Sequence, residues 1–330
     1  MSILITGGAG YIGSHTVQYF LEQNEDVIVV DNLQSGHKES VEVQHFYEID
    51  IRDKIAFDKI FKAHNVEAVI HFAANSLVGE SMEKPHEYYH NNVYGLMCLL
   101  DVMKDNDVNR IVFSSTAATY GVPKNIPILE GDETNPTNTY GETKLAMEKM
   151  MKWFEIGYGI KYVSLRYFNA AGAHDSSNMG EDHDPETHLI PLILQVALGQ
   201  REKIYIFGDD YPTEDGTCIR DYIHVMDLAS AHYLALEYIR KDNPSEIFNL
   251  GNGNGYSVKE VIDVARQVTF HPIPAELNER RTGDPAVLIA SSEKAKKVLG
   301  WEPQFDSLEK IITDAWNWHK SNPKGYSTKQ

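Results

Sequence analysis

The 330-residue sequence predicts an α/β protein: a doubly wound parallel sheet with a smaller α/β substrate-binding domain attached. Three observations carry that expectation. Runs rich in Val and Ile alternate with helix-length segments through the first half; a glycine-rich turn joins the first run to the first helical pattern; after Asn169 the texture changes to acidic, Gly- and Pro-containing loops.

Ser2–Ile5, Val27–Val30, Ala68–Phe72, Arg110–Ser114 and Lys161–Leu165 read as buried strands, because unbroken β-branched runs suit strands covered on both faces. Ser14–Gln23 and Tyr88–Lys104 between them read as helices. The loops Asp175–Glu186 and Gly208–Gly216 belong to a second region, so the expected domains are residues 1–170 and 171–330. Glu246–Leu250 reads as a strand that can return to the main sheet, which would make the second domain discontinuous.

The formal charge of −18 disfavours nucleic acid and anionic membrane as partners, since the long-range field repels phosphate. An anionic ligand therefore needs a local cluster of Arg or backbone N–H groups. Cys98 and Cys218 have neither metal-ligand spacing nor the numbers of a disulfide framework, and the first residues lack the pattern of a signal peptide. The run Ile190–Leu198 is too short to span a bilayer, and the expected location is cytoplasmic.

The first strand runs into Thr6-Gly7-Gly8-Ala9-Gly10-Tyr11-Ile12-Gly13 and a helix follows at once. Gly7 permits the tight turn, Gly10 lets the backbone approach a pyrophosphate, and Gly13 allows close packing, while the helix N-terminus aims N–H groups at the anion. Asp31 ends the next strand, where its carboxylate accepts hydrogen bonds from ribose hydroxyls and repels a 2′-phosphate. The pattern predicts a Rossmann-type sheet that binds NAD rather than NADP.

Tyr140 and Lys144 lie four residues apart, at the opening of a segment, Glu142–Met151, of high helical propensity, and so share one helix face. They follow the strand that ends Phe113-Ser114-Ser115-Thr116, whose C-terminal end faces the ligand crevice in this architecture. Taking a hydride from an alcohol carbon requires removal of the O–H proton. A tyrosine of ordinary pKa, about 10, is a poor base at neutral pH, and lowering it by about three units needs about 4 kcal/mol of phenolate stabilisation. The expected roles are Tyr140 as general base, Lys144 as its positive partner and anchor for the nicotinamide ribose, and Thr116 as a hydrogen-bonding group to the reacting oxygen.

Taken together these residues resemble the extended short-chain dehydrogenase/reductase family and, within it, the UDP-glucose 4-epimerase family. The resembling segments include Thr6–Gly13, Val78–Ser81, Tyr88–Val93, Tyr140–Lys144, Arg166–Asn169, the long Gly208–Asp227 stretch and Arg280–Asp284, and they extend over nearly the whole chain. The resemblance implies reversible epimerisation at C4 of a UDP-hexose, with the hydride held transiently on tightly bound NAD while a 4-keto sugar turns over in the pocket. It implies an NAD site lined by Tyr11, Ile12, Asp31, Asn32, Asp50, Ile51, Phe72, Ala73, Asn91, Tyr140, Lys144 and Phe168, beside Gly7, Gly10 and Gly13. For the UDP-sugar it implies Thr116, Tyr140, Asn169, Arg220, Tyr222, Arg281 and Asp284, where the two arginines suit a pyrophosphate and Asp284 suits ribose hydroxyls. It also implies a homodimer formed through the helix that carries Tyr140.

Some positions depart from the family's commonest residues. Thr116 stands for a frequent Ser and keeps the hydroxyl; Ala74 and Ser76 fall where Gly and Lys are frequent, which removes one positive contact to the cofactor. His188 replaces a frequent Asn, and Leu288 occupies the position of varying bulk associated with N-acetylated sugars. His174, His183 and His188 with Asp175, Glu181, Asp182 and Asp184 have no regular ligand spacing, so a solvated acidic loop is expected and no metal. Leu308, Ile311, Ile312, Ala315 and Trp316 fall at helical spacing and are expected in the core, and Met147, Met150, Met151 and Phe154 can also be buried.

Two other functions compete. A nucleotide-sugar 4,6-dehydratase shares the first hydride step but needs an acid–base pair, for which its family places Asp-Glu directly after the Thr of this strand; here Ala117-Ala118 follow. A non-catalytic NAD-binding redox sensor could dispense with Tyr140 and Lys144.

Overall fold

The computed structural model describes residues 1–281 and 284–326. Thr282 and Gly283, inside the Arg280–Asp284 stretch, and residues 327–330 of the expected second domain lie outside the described residues. The strands in chain order are β1 (Ser2–Thr6), β2 (Asp26–Asp31), β3 (His45–Glu48), β4 (Val66–His71), β5 (Arg110–Thr116), β6 (Lys161–Tyr167), β7 (Asn169–Ala171), β8 (Ile204–Phe207), β9 (Ile219–Arg220), β10 (Tyr222–His224), β11 (Glu246–Leu250), β12 (Tyr256–Ser257), β13 (Ala275–Asn278) and β14 (Val287–Leu288). The helices are α1 (Tyr11–Glu22), α2 (Lys54–Ala63), α3 (Val78–Glu83), α4 (Pro85–Tyr88), α5 (Gly95–Asp105), α6 (Thr139–Tyr158), α7 (Leu189–Ala197), α8 (Val225–Arg240), α9 (Val258–Thr269), α10 (Glu293–Leu299) and α11 (Leu308–Ser321).

Seven strands form one parallel sheet in the order β11-β6-β5-β4-β1-β2-β3, with the chain reversing direction across the sheet between β1 and β4. Such a reversal opens a crevice at the carboxyl ends of the strands. Alternation along each strand divides the core. Ile3 and Ile5 join Val17 and Phe20 of α1 and Leu228, Ala235 and Ile239 of α8 on one face; Leu4 joins Phe57 of α2, Leu99 of α5 and Met147 and Met151 of α6 on the other.

β11 pairs with β6 at the sheet edge, and α8, Ala295 and Trp301 also pack on the large sheet, although all follow residue 170. The chain thus crosses back to the first region. The remaining strands make small sheets, β10-β7, β13-β8 and β12-β9-β14, over a separate core that includes Ile193 of α7, Ile262 of α9, and Leu308, Ile311, Ile312 and Ala315 of α11, with Trp316 packed against it.

Two differences from the sequence reading have local causes. β3, at the opposite edge of the sheet, is four residues long and only half-buried, and its Phe46-Tyr47 pair between His45 and Glu48 is too short to stand out as the unbroken apolar run of a covered strand. The segment expected as one helix over Tyr88–Lys104 is broken by a π-helical turn at Tyr89–Tyr94 before α5. Asn92 in that turn is fully buried; its Oδ1 accepts from Asn75 N (2.8 Å), and its Nδ2 donates to Asn75 O (3.0 Å) and Thr143 Oγ1 (3.1 Å). The wide turn lets one carboxamide reach both neighbours. Among the described residues no helix is long and apolar enough to cross a membrane.

Candidate active site

A crevice of about 1240 Å³ runs along the carboxyl ends of the large sheet and on between the small sheets. That exceeds the roughly 300–1,000 Å³ of an ordinary ligand pocket and leaves room for a dinucleotide and a second ligand together. Every residue expected at the site lines it except Asp50. Asp50 stands behind the lining, held to about pKa 2 by hydrogen bonds from Arg52, and takes a hydrogen bond from Asn32 Nδ2 (3.2 Å), which does line the crevice.

The glycine-rich turn has a steric basis. Gly7 has φ +70°, and a Cβ there would sit 2.6 Å from Ala73 N on the β4 side of the crevice; a Cβ on Gly13 would sit 2.1 Å from Gly7 O. Gly10 caps α1 with no side-chain partner, so the first-turn N–H groups face the crevice available for an anion. Asp31 is buried, with Oδ2 accepting from Ala9 N (2.9 Å) and Oδ1 from Leu33 N (2.8 Å). Burial raises its pKa, and the two amides offset that only in part. One carboxylate therefore clamps the turn to β2 and, with two oxygens, keeps further acceptor capacity. Glycine cradle, free amides and carboxylate fit an NAD-type dinucleotide.

Across the crevice α6 begins at Thr139, capped by Asn138, whose Oδ1 accepts from Gly141 N (2.8 Å). Tyr140 is in the first turn with its N–H bonded to Ser81 Oγ (3.1 Å), and Lys144 Nζ donates to Ser114 O (2.7 Å), 5.9 Å from the Tyr140 ring centre. The electrostatics differ from the expectation. Burial pushes the Tyr140 phenol up to about 12, and the neighbour that favours its anion is the Thr116 hydroxyl, not Lys144. Burial likewise pulls Lys144 down to about 7, against a raising pull from Glu148 one turn along α6. Desolvation dominates both groups, because the dry pocket disfavours either charge on its own.

Sequence reasoning missed the groups that hold this pair. Ser81 and Asn92 tie α3 and the π-helical turn to α6, and the Asn91-Asn92 pair within an otherwise helical pattern is the one signal that could have marked them. Glu148 and Arg166 form a buried ion pair (2.6 Å) that also takes the Ser115 hydroxyl (2.6 Å), joining α6 to β5 and β6. His71 faces Lys144 and is held neutral, its pKa lowered to about 3 mainly by burial.

On the substrate side, Asn169 Nδ2 donates to Asp221 O (2.9 Å), fixing β7 against β10, and Tyr222 and Leu288 line the wall. Arg220 and Asp284, expected to bind different parts of a ligand, are bonded to each other, and Arg281 lies over Phe207 at 4.2 Å. The pairing holds Arg220 toward the crevice while leaving further N–H donors on its guanidinium. Ala117 and Ala118 line the crevice beside Thr116 and put no carboxylate there. The acidic segment is not a solvated loop: Glu181 is buried, and Glu181, His183, Glu186 and His188 converge at the crevice lip. The chain curls so that the side chains meet without helical or hairpin spacing.

Fold and site together define a class, a dinucleotide-dependent enzyme acting on a second ligand in the same crevice. Residues 3–251 match the NAD dependent epimerase/dehydratase family, and the chain belongs to that family. It is 66% identical over 328 residues to a UDP-glucose 4-epimerase of Halalkalibacterium halodurans, covering 99% of this chain and 98% of that one. Among solved structures, a UDP-glucose 4-epimerase superposes with a TM-score of 0.98 at 58% identity, covering 99% of this chain and all (100%) of the other. The UDP-glucose 4-epimerase of Bifidobacterium longum, solved in complex with NAD+ and UDP, gives 0.93 at 40% identity, with 99% and 100% covered.

Proposed function

We propose that the chain is a UDP-glucose 4-epimerase, interconverting UDP-glucose and UDP-galactose with NAD retained through turnover. The observation that carries this is the joint placement of Tyr140, Lys144 and Thr116 on the same crevice as the glycine-rich turn and Asp31, with Arg220, Tyr222 and Leu288 on its far side. Residues 1–170 supply most of the NAD site and residues 171–330 most of the UDP-sugar site, with Gly7, Gly10, Gly13 and Asp31 on the dinucleotide and Arg220, Arg281 and Asp284 on the UDP.

NAD, held by the glycine-rich turn and Asp31, would supply a hydride acceptor and, in its oxidised form, a positive charge to the crevice. Bringing Tyr140 from about 12 to neutral pH requires about 7 kcal/mol of differential stabilisation, more than the Thr116 hydrogen bond provides. Lys144, held ready to titrate near 7, gains its proton as negative charge enters the crevice. Tyr140 then takes the O4 proton as the hydride leaves C4, Thr116 holds O4, and Tyr140 returns the proton when the hydride comes back to the opposite face. The two alanines after Thr116 offer no acid–base pair for eliminating water, which disfavours a dehydratase.

The protein works in the cytoplasm, in galactose metabolism, as a homodimer. The exposed Met97 on α5 and Trp153 on the neighbouring α6 support the dimer surface, whereas Met147 and Met151 are spent on the core. Purified protein incubated with UDP-galactose and no added NAD is expected to yield UDP-glucose. A dehydrated keto sugar, or no conversion by protein shown to carry NAD, would overturn the assignment; sedimentation as a monomer at micromolar concentration would overturn the dimer.

A further inference from the structure

Glu181, His183, Glu186 and His188 each offer one ligand atom, and these four atoms lie within 4.8 Å of one another. Both imidazoles turn the same nitrogen, Nδ1, inward. The distances from His183 Nδ1 are 3.2 Å to Glu181 Oε1 and 3.6 Å to Glu186 Oε2; from His188 Nδ1 they are 2.8 Å to Glu181 Oε1 and 3.1 Å to Glu186 Oε1. A tetrahedral zinc ion with bonds of about 2.0–2.1 Å to nitrogen and oxygen has ligand–ligand edges of about 3.3 Å; the four nitrogen–oxygen separations, measured to one oxygen of Glu181 and to either oxygen of Glu186, straddle that value.

We propose that these four side chains form a binding site for a divalent transition-metal ion, best suited to zinc, at the lip of the crevice. Two neutral imidazoles and two carboxylates carry a charge of −2, which a divalent ion neutralises, and this mixed nitrogen–oxygen set suits zinc better than magnesium or calcium. Four protein ligands leave no open position, so the ion is structural rather than catalytic.

The surroundings supply the support such a site needs. Glu186 Oε1 is oriented by the backbone N–H groups of Thr187 (2.6 Å) and His188 (2.7 Å), and Glu181 O accepts from Trp318 Nε1 of α11 (3.2 Å). Asp182, between the ligands, has its backbone oxygen bonded to His37 Nε2 (3.0 Å) and its Oδ2 to Tyr326 N (2.8 Å). An ion here fastens the crevice lip to α11 and to the loop that follows β2. The metal-free alternative is an ion-pair network, with two imidazoliums facing two carboxylates: burial opposes the charged imidazoles, yet the carboxylates raise His183 to about 9 and His188 to about 10.

Zinc binding separates the two, and it does not depend on the sugar chemistry proposed above. The full-length protein, stripped with chelator, is titrated with Zn²⁺ against a colorimetric competitor, alongside His183→Gln, His188→Gln and, as a control, the exposed surface residue His86→Gln. The expected result is one tight equivalent per chain in wild type and His86→Gln, weakened at least about 100-fold in the two ligand variants. Addition of Zn²⁺ should raise the melting temperature of the wild type, and Co²⁺ in its place should show the visible absorption of a tetrahedral site. Should His183→Gln fail to fold, His188→Gln, whose side chain is half-exposed, carries the comparison. Equal Zn²⁺ uptake by wild type and His188→Gln, or no rise in wild-type melting temperature at saturating Zn²⁺, would overturn the site.

Discussion

The seven-stranded region and the region of small sheets face each other across one crevice but reach order by different means. In the first, apolar side chains on both faces of one continuous sheet do most of the work: Ile3, Leu4, Ile5, Ile28, Val29 and Val69 are fully buried. In the second, strands of two to four residues rest on a smaller apolar core and are tied together near the crevice by polar bonds. The buried Asp221 carboxylate takes the amides of Asn252 (2.7 Å), Gly253 (3.1 Å) and Ala290 (3.1 Å), and Arg220 is bonded to Asp284. The difference teaches where each kind of function sits. On the function proposed above, the groups that must be placed to a fraction of an ångström, Tyr140 and Lys144, grow from the close-packed region, and the walls that would select a ligand stand on the other.

The strongest test of that division is Tyr140→Phe. Loss of the general base is expected to lower turnover by about 10²- to 10⁴-fold with the melting temperature nearly unchanged, read by a coupled UDP-glucose assay and calorimetry. Turnover within a few-fold of wild type would remove Tyr140 from the chemistry and with it the assignment of roles to regions.

Next in size is Arg166→Met, which leaves the Glu148 carboxyl on α6 buried without its partner. About 3–5 kcal/mol of stability should be lost in urea denaturation, and part of it should return in Arg166→Met/Glu148→Leu. A loss under about 1 kcal/mol would show that the close-packed region does not depend on this ionic tie to α6.

On the other wall, Arg220→Leu removes a charged donor without touching the reacting atoms. KM for the UDP-sugar should rise about 10- to 100-fold while kcat stays within a few-fold. A fall in kcat with KM unchanged would place Arg220 with the chemistry and blur the comparison.

The mildest effect near neutrality is a pH dependence of the seven-stranded region. Burial lowers His15 and His232 to about 4 and His71 to about 3, and each has a buried Nε2 with no partner among the described residues. An unfolded histidine titrates near about 6.5. Below that pH the unfolded chain binds more protons than the folded one, so stability is complete above about 6.5 and falls as the pH drops toward 4 to 3. Denaturation midpoints measured across that window should decline, and His232→Gln should flatten the slope; an unchanged slope would mean that His232 charges inside the fold.

Strands β1, β2, β4 and β5 were legible because a strand covered on both faces writes a largely apolar run, β6 and β11 because apolar and β-prone residues still dominate their buried positions, and the glycine-rich turn because only residues without a Cβ fit against Ala73 and Gly7. Tyr140 and Lys144 were legible as a pair because four residues is one helical turn. β3 left no such trace, nor did the break at Tyr89–Tyr94, since a half-buried edge and a local widening of a helix depend on neighbours that sequence spacing does not encode.

By itself, then, the order of residues determined the sheet, its glycine-rich turn and the pairing of Tyr140 with Lys144 on one helix face, all of them consequences of periodicity and local backbone chemistry. Tertiary structure alone decided the charge states and the long-range ties: the burial that raises Tyr140 and depresses Lys144, the pairing of Arg220 with Asp284, the Asn92 bridge to α6 and the convergence of Glu181, His183, Glu186 and His188. The physical reason is that desolvation and Coulomb energy depend on what surrounds a group in space, and a linear spacing of residues does not contain that information.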